Sequence, residues 1–530
     1  METNKKRKKF SETKFGSFIL KLWHWTRSFT KVKLIFLTYL IVVLVITLFL
    51  YSPITQNEEY VQSLAKKGES ITFIDAFFTT CSAFSDTGLV SHPTYLAWNQ
   101  FGQALIAFSI LIGGLGIFAL KIFLINFIFL RGKTSLNDVE LVSYERGNSE
   151  FFKTKHMIRD SILFLLIILI LSSIGLTIYF YYKNPTFTES DFITKNGYIL
   201  ENNYVNPASD WSTSFRFGFF HAISALNNAG FDIIGNNSLL PYFYNYDLQI
   251  IFVVLFIIGG IGYPVIYDFF TFIKFKIYCK KNKIKSKYKW SLFTKISLSA
   301  YWIMTIITFA GIMIIETSGN KTFINSPTFA NGNYFAKVWA LFFTTLSTRS
   351  AGFATFYLND LSQPTLWILN ILMYIGASPA STGGGIRTTT FAILILTIFS
   401  KILGKPSVRV FDRKIDVDTV KMSTIVSTIS LILVLLTSLV IMSSLNTFHS
   451  GTIDDTKYTA TNFFFEAFSA FGTTGLTTGI TDNLNWISKI ALSILMFIGQ
   501  FGISSSVLIW IRKKNYSYQY DYISESVAIG

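Results

Sequence analysis

"FGTTGLTTG", residues Phe471 to Gly479, is an odd stretch for so apolar a chain. Glycine weakens helices and hydroxyls are poorly solvated in lipid, so neither suits a membrane helix. The pattern recurs three times upstream, as "CSAFSDTGLVS" (Cys81 to Ser91), "ISALNNAGFDI" (Ile223 to Ile233) and "LSTRSAGFATF" (Leu346 to Phe356). Each has an apolar run, a serine or threonine, two or three polar residues, a small residue, glycine, then Leu or Phe. The aligned glycines, Gly88, Gly230, Gly352 and Gly475, lie roughly 120 to 140 residues apart, the length of a structural unit rather than a solenoid repeat. The chain thus reads as four tandem units with one loop each.

The 530 residues are 51% hydrophobic and 17% aromatic but only 14% charged. Soluble proteins carry about a quarter charged residues, so this balance belongs to an integral membrane protein. Lys and Arg outnumber Asp and Glu 46 to 30, a net charge of +16. The cations fall in five clusters: Lys5 to Lys33, Arg131 to Arg159, Lys274 to Lys295, Lys401 to Lys421 and Arg512 to Lys514. Each flanks a long apolar segment, as the positive-inside rule asks of cytoplasmic segments. Connections such as 52–70, 183–215 and 444–460 hold few Lys or Arg and several acids. The excess charge therefore reads as topology, with both termini cytoplasmic, and not as a nucleic-acid surface. Cys81 and Cys279 fall on opposite faces, so no disulfide is expected. The first apolar run begins at Leu34 behind a basic leader without a small-residue cleavage pattern, and is expected to remain as a helix.

Apolar stretches near 34–51, 103–130, 158–182, 249–273, 291–315, 366–400, 421–443 and 486–511 are long enough to cross a hydrocarbon core, for which roughly 20 residues suffice. Between the members of each pair lies a shorter run ending in the glycine turn: 71–85, 216–228, 334–347 and 459–472. These read as re-entrant half-helices, tolerated where the irregular backbone after them lines a water-filled path. The expected fold is an all-α polytopic membrane protein, its four helix, half-helix, loop, helix units arranged pseudo-fourfold around a pore. A basic N-terminus (1–33) precedes unit 1 (34–130), unit 2 (131–273), unit 3 (274–400) and unit 4 (401–511), the last three led by cytoplasmic linkers; 512–530 form a C-terminal tail.

Glycine admits backbone angles that let consecutive carbonyls point one way, and carbonyls replacing a hydration shell are the basis of a potassium-type filter. A half-helix entering from outside turns the negative end of its dipole to the pore, which favours a cation. The expected lining is Thr87, Gly88 and Leu89; Ala229, Gly230 and Phe231; Ala351, Gly352 and Phe353; and Thr474, Gly475 and Leu476, with each Leu or Phe packing outward as a wedge. Asp86, Asn228, Ser350 and Thr473 are adjacent. Two readings of Asp86 stay open: a carboxylate that concentrates cations, or a structural partner of Arg349.

With "GGLGI" (Gly113 to Ile117), "NNAGF" (Asn227 to Phe231), "GGIGY" (Gly259 to Tyr263) and the highly specific "SPASTGGGIRTTTF" (Ser378 to Phe391), the chain resembles the Trk/Ktr/HKT superfamily of potassium transporters. The resemblance is closest to the KtrB-type (TrkH-like) membrane subunits. One glycine per loop governs selectivity in that family, and members with serine in the first loop tend to favour sodium. Gly88 and its three counterparts therefore imply potassium, carried as substrate, with no cofactor in this chain. The resemblance also implies a homodimer and a cytosolic nucleotide-binding regulatory subunit of the KtrA/TrkA kind, for which the basic linkers are candidate docking surfaces, as they are for the membrane surface.

Segment 366–400 is interrupted by ten residues, Gly376 to Gly385, that hold a proline and a triple glycine, so a continuous helix is not expected. By resemblance this is an intramembrane gating loop, a role carried to Gly376, Ser378, Pro379, Ser381, Gly383, Gly384 and Gly385, with Arg387 at the family's basic position. The last helix departs from the family, which usually places arginine in a "GRVG"-like setting; here "GQFG" puts Gln500 there, which hydrogen-bonds but supplies no repelling cation.

Two other classes fit poorly. An enzyme needs a constellation, but the five histidines are scattered without metal-ligand spacing and no "GxxxxGK[ST]" occurs. His221, on the second half-helix, reads as a satisfied buried side chain. A secondary transporter of an organic solute would also use broken helices, but typically in two halves rather than four alike loops.

Overall fold

A computed structural model of the chain describes residues 31–116, 119–120, 151–186, 204–235, 238–319, 322–325, 333–411, 413–448 and 459–503. The basic leader up to residue 30, most of the linker after 130 and the tail 512–530 lie outside the described residues. The first unit holds α1 (Lys31–Tyr51), α2 (Phe73–Phe84) and α3 (Gln100–Leu115). The second holds α4 (Phe151–Tyr182), α5 (Trp211–Leu226) and α6 (Tyr246–Gly260), and α7 (Tyr263–Lys281) runs across the expected boundary at residue 273 into the third. The third holds α8 (Leu292–Ser318), α9 (Tyr334–Ser347), α10 (Gln363–Tyr374) and α11 (Thr388–Ile402). After a small hairpin, β1 (Arg409–Val410) against β2 (Arg413–Lys414), the fourth holds α12 (Val417–Phe448), α13 (Ala460–Gly472) and α14 (Trp486–Phe501).

Lipid offers the backbone no hydrogen-bond partner, so long apolar runs close their bonds as helices. Within α1, α4, α8 and α12 the stretches Lys33–Tyr51, His156–Tyr182, Leu292–Ser318 and Val417–Ser443 have the length and hydropathy to cross a membrane. Several hydroxyls along them are satisfied locally: Thr47, Thr177, Thr305 and Ser438 donate to carbonyls one turn back at 2.7–2.9 Å.

The four half-helices α2, α5, α9 and α13 each begin at a capping side chain. Thr72 with Asp75, and Thr459 with Asn462, form capping boxes, while Asp210 and Asn333 accept from the first turn. Asp210 explains why α5 starts at Trp211 rather than near residue 216, since a carboxylate there accepts from both Ser212 and Thr213.

The second helix of a unit ends abruptly. α3 stops at Gly116 (φ 82°) and α14 at Gly502 (φ 82°), and a third glycine, Gly262 (φ 84°), follows α6. The run 249–273 is therefore not one continuous helix: α6 and α7 meet at 97°. Gly262 takes the left-handed turn and Pro264 starts the new helix, a break that unbroken hydropathy conceals. In the packing α3 lies on α5, α6 on α9, α10 on α13 and α14 back on α2.

Candidate ion pathway and gate

All four loops leave their half-helices by the same route. Asp86, Asn228, Ser350 and Thr473 take left-handed backbone (φ 51°, 59°, 75° and 46°), rare for residues with a side chain. The turn is held by one repeated bond: Thr87, Ala229, Ala351 and Thr474 donate their N–H to the carbonyls of Ser82, Ser224, Ser347 and Ser469 at 2.8–2.9 Å. Three of those serines also grip the far side of the loop. Gly88 N–H donates to Ser82 Oγ at 3.0 Å, and Ser224 and Ser347 donate to the Phe231 and Phe353 carbonyls at 2.6 Å. The sequence pattern includes a serine or threonine but gives it no role, although one of these serines stands five or six residues before every aligned glycine. Leu89, Phe231, Phe353 and Leu476 are all buried. His221 is likewise buried and satisfied, its Nδ1 at 2.7 Å from the Phe217 carbonyl.

The four glycines have no room for a side chain, and what fills the room is the next loop. A Cβ on Gly88 would lie 2.5 Å from the Ala229 carbonyl oxygen, and one on Gly230 would lie 2.9 Å from Gly352 Cα. On Gly352 it would overlap the Thr474 carbonyl, and on Gly475 the Thr87 carbonyl. Loop one abuts loop two, two abuts three, three abuts four, and four returns to one. The sequence-predicted lining residues of all four loops are therefore brought together.

Between α10 and α11 the chain is non-helical from Ile375 to Arg387 and folds back on itself. Ile386 N–H donates to Tyr374 O at 3.1 Å and Thr388 N–H to Ala377 O at 3.1 Å. Its glycines sit against the loops above: Gly384 N–H donates to Thr473 Oγ1 at 2.8 Å and to Ser350 Oγ at 3.2 Å. Ser378 N–H reaches Gly260 O at 3.1 Å, and Tyr263 N–H reaches Ala380 O at 2.9 Å. Ser378 Oγ lies 2.5 Å from Ser297 Oγ on α8, and Ser381 Oγ donates to Ser378 O at 2.6 Å.

Gln500 ties this segment to the first loop. Its Nε2 donates to Thr382 O at 2.9 Å and to Asp86 Oδ2 at 3.2 Å. Arg387 closes the circuit, donating from Nη2 to Gln500 O at 2.9 Å and from Nη1 to the Gly383 carbonyl. The pairing of Asp86 with Arg349 is corrected: Arg349 is fully buried and turns the other way. It donates to Gly376 O at 3.0 Å and Thr388 Oγ1 at 3.4 Å, 4.6 Å over the Tyr301 ring. The ring face stabilises a guanidinium that meets no carboxylate there. Among the described residues no cluster of His, Cys, Asp and Glu is arranged to hold a metal.

Comparison with known proteins identifies the family and the fold. The TrkH family, described as cation transport proteins, matches residues 44–518. The Ktr system potassium uptake protein D of Bacillus subtilis is 32% identical over 98% of this chain and 99% of its own length. The potassium/sodium uptake protein NtpJ of Enterococcus hirae is 31% identical over 88% of this chain and 92% of its own. Among solved structures, the potassium transporter TrkH from Vibrio parahaemolyticus superimposes with a TM-score of 0.57 at 16% identity, covering 83% of this chain and 79% of that one, which supports the helical fold. From residue 44 through the last loop and beyond, then, this chain belongs to the TrkH family of cation transport proteins.

Proposed function

We propose that the chain carries potassium into the cell through a filter formed by the carbonyls of its four glycine loops, above a gate formed by residues Gly376 to Arg387 with Gln500. The observation that supports this most is the closed contact order of the loops: each glycine admits its neighbour's backbone, bringing four sets of carbonyls together as a dehydrated cation needs. Carbonyl oxygens suit a monovalent cation, and neither an enzymatic reaction nor a cofactor is part of this reading. The names of the relatives, potassium uptake and potassium/sodium uptake, point the same way. The proposal extends to a plasma-membrane homodimer with cytoplasmic termini and a cytosolic nucleotide-binding regulatory partner. Expression in cells lacking their own potassium uptake tests it: growth at low external potassium is expected, and no growth beside a functioning relative counts against it.

Asp86 lies on the gate side of the first loop, against Gln500, and its carboxylate concentrates cations beneath the filter. Asp86→Asn is expected to lower conductance severalfold in dilute salt and much less near 1 M, where the Debye length is about 3 Å. Equal losses at both ionic strengths in bilayer recordings would mean that Asp86 only holds Gln500.

A further inference from the structure

If α6 crosses the membrane, a helix bent 97° from it runs along the membrane surface. The residues of α7 suit that position. Phe269, Ile273 and Ile277, at successive four-residue steps along one face, are 51%, 37% and 63% exposed, whereas Val265 and Ile266, on the same face but nearer the bend, and Asp268 are buried. The basic residues Lys280 and Lys281, and then Lys283, Lys285 and Lys287 in the hairpin leading to α8, are all exposed, and no acidic residue lies among them. An exposed apolar stripe continuing into a lysine cluster is the pattern of a helix lying in the headgroup plane, its apolar face among the acyl chains and its ammonium groups at the phosphates.

We infer that α7 and the hairpin after it dock on anionic phospholipid headgroups of the cytoplasmic leaflet, and that this docking positions the gating segment. The inference rests on the gating role proposed above. Mechanical continuity carries the second half of it. Tyr263, the first residue of α7, donates its N–H to Ala380 O at 2.9 Å, and a Cβ on Gly262 would lie 2.5 Å from Pro379 O. At the other end of the hairpin, α8 contacts the same segment through Ser297 and Ser378. Asp268 braces the two helices, accepting from Ser291 N–H at 3.0 Å and from the Tyr288 hydroxyl. A shift of the hairpin against the membrane thus reaches the gating segment from two sides. A soluble acidic protein would also attract the lysines, but it leaves the apolar stripe without a reason.

The full chain is reconstituted in vesicles of phosphatidylcholine alone, or of phosphatidylcholine and phosphatidylglycerol at three to one. Potassium flux is measured, and separately an environment-sensitive fluorophore is placed on Ile277→Cys in a Cys81→Ser, Cys279→Ser background. Flux is expected to rise severalfold with phosphatidylglycerol, and the label to shift to the blue. The combined variant K280Q/K281Q/K283Q/K285Q/K287Q is expected to erase both differences. Equal flux and equal emission in the two lipids would overturn the inference. So would a label that stays in water in both, which would assign the lysines to a soluble partner. A lipid-dependent blue shift without flux in either lipid would retain the docking and remove the transport reading.

Discussion

Serine in place of Gly88 is expected to reduce the preference for potassium over sodium about tenfold or more, in a protein that still folds and inserts. Gly88 has φ +95°, and a Cβ there would lie 2.5 Å from the Ala229 carbonyl oxygen and 3.1 Å from Gly230. The backbone must shift, because both obstacles are main chain and neither can rotate away. Left-handed strain alone costs about 1–3 kcal/mol for a residue with a side chain, and about 1.4 kcal/mol of differential binding is a factor of ten in selectivity. The displaced atoms are the carbonyls proposed to replace the hydration shell, so the cost falls on ion discrimination. Gly479→Ser is the matched control: its φ is +86°, yet nothing lies within 4 Å of its Cβ position. Competitive uptake of the two ions into proteoliposomes should show Gly88→Ser losing selectivity and Gly479→Ser keeping it.

Arginine in place of Gln500 is expected to slow potassium flux about tenfold or more. The Gln500 amide already bridges Thr382 O and Asp86, so a guanidinium there finds acceptors in place and stays beneath the proposed filter. Two unit charges about 4 Å apart repel by about 4 kcal/mol at an effective dielectric of 20, enough to remove most passage even after Asp86 offsets part of it. Gln500→Leu breaks the bridge without adding charge and should raise flux by loosening the segment from the first loop. Tracer efflux from vesicles distinguishes the two, and unchanged flux in Gln500→Arg would remove Gln500 from the gate.

The loops were legible because their chemistry is local. Glycine after a polar turn, repeated once per unit, needs no knowledge of what lies across the pore, and the triple glycine with Pro379 marks an unwound segment in the same way. The bend at Gly262 was not, because the run 249–273 reads as one apolar segment although Gly262 and Pro264 stand inside it. Long-range partners were equally hidden. Gln500 and Asp86 are 414 residues apart, and nothing in either neighbourhood specifies the other. The partner of Arg349 was hidden in the same way: sequence leaves a pairing with Asp86 open as one of two readings, whereas the fold offers a tyrosine face and the Gly376 carbonyl.

The central claim concerns where the ion sits, and diffraction from crystals of the full chain grown with thallium or rubidium locates it directly. The expected result is anomalous density enclosed by the carbonyls of Thr87, Ala229, Ala351 and Thr474, contributed by all four loops and weakened in Gly88→Ser. Density confined to one unit, or found only among side chains away from Gly88, Gly230, Gly352 and Gly475, would contradict a shared carbonyl filter.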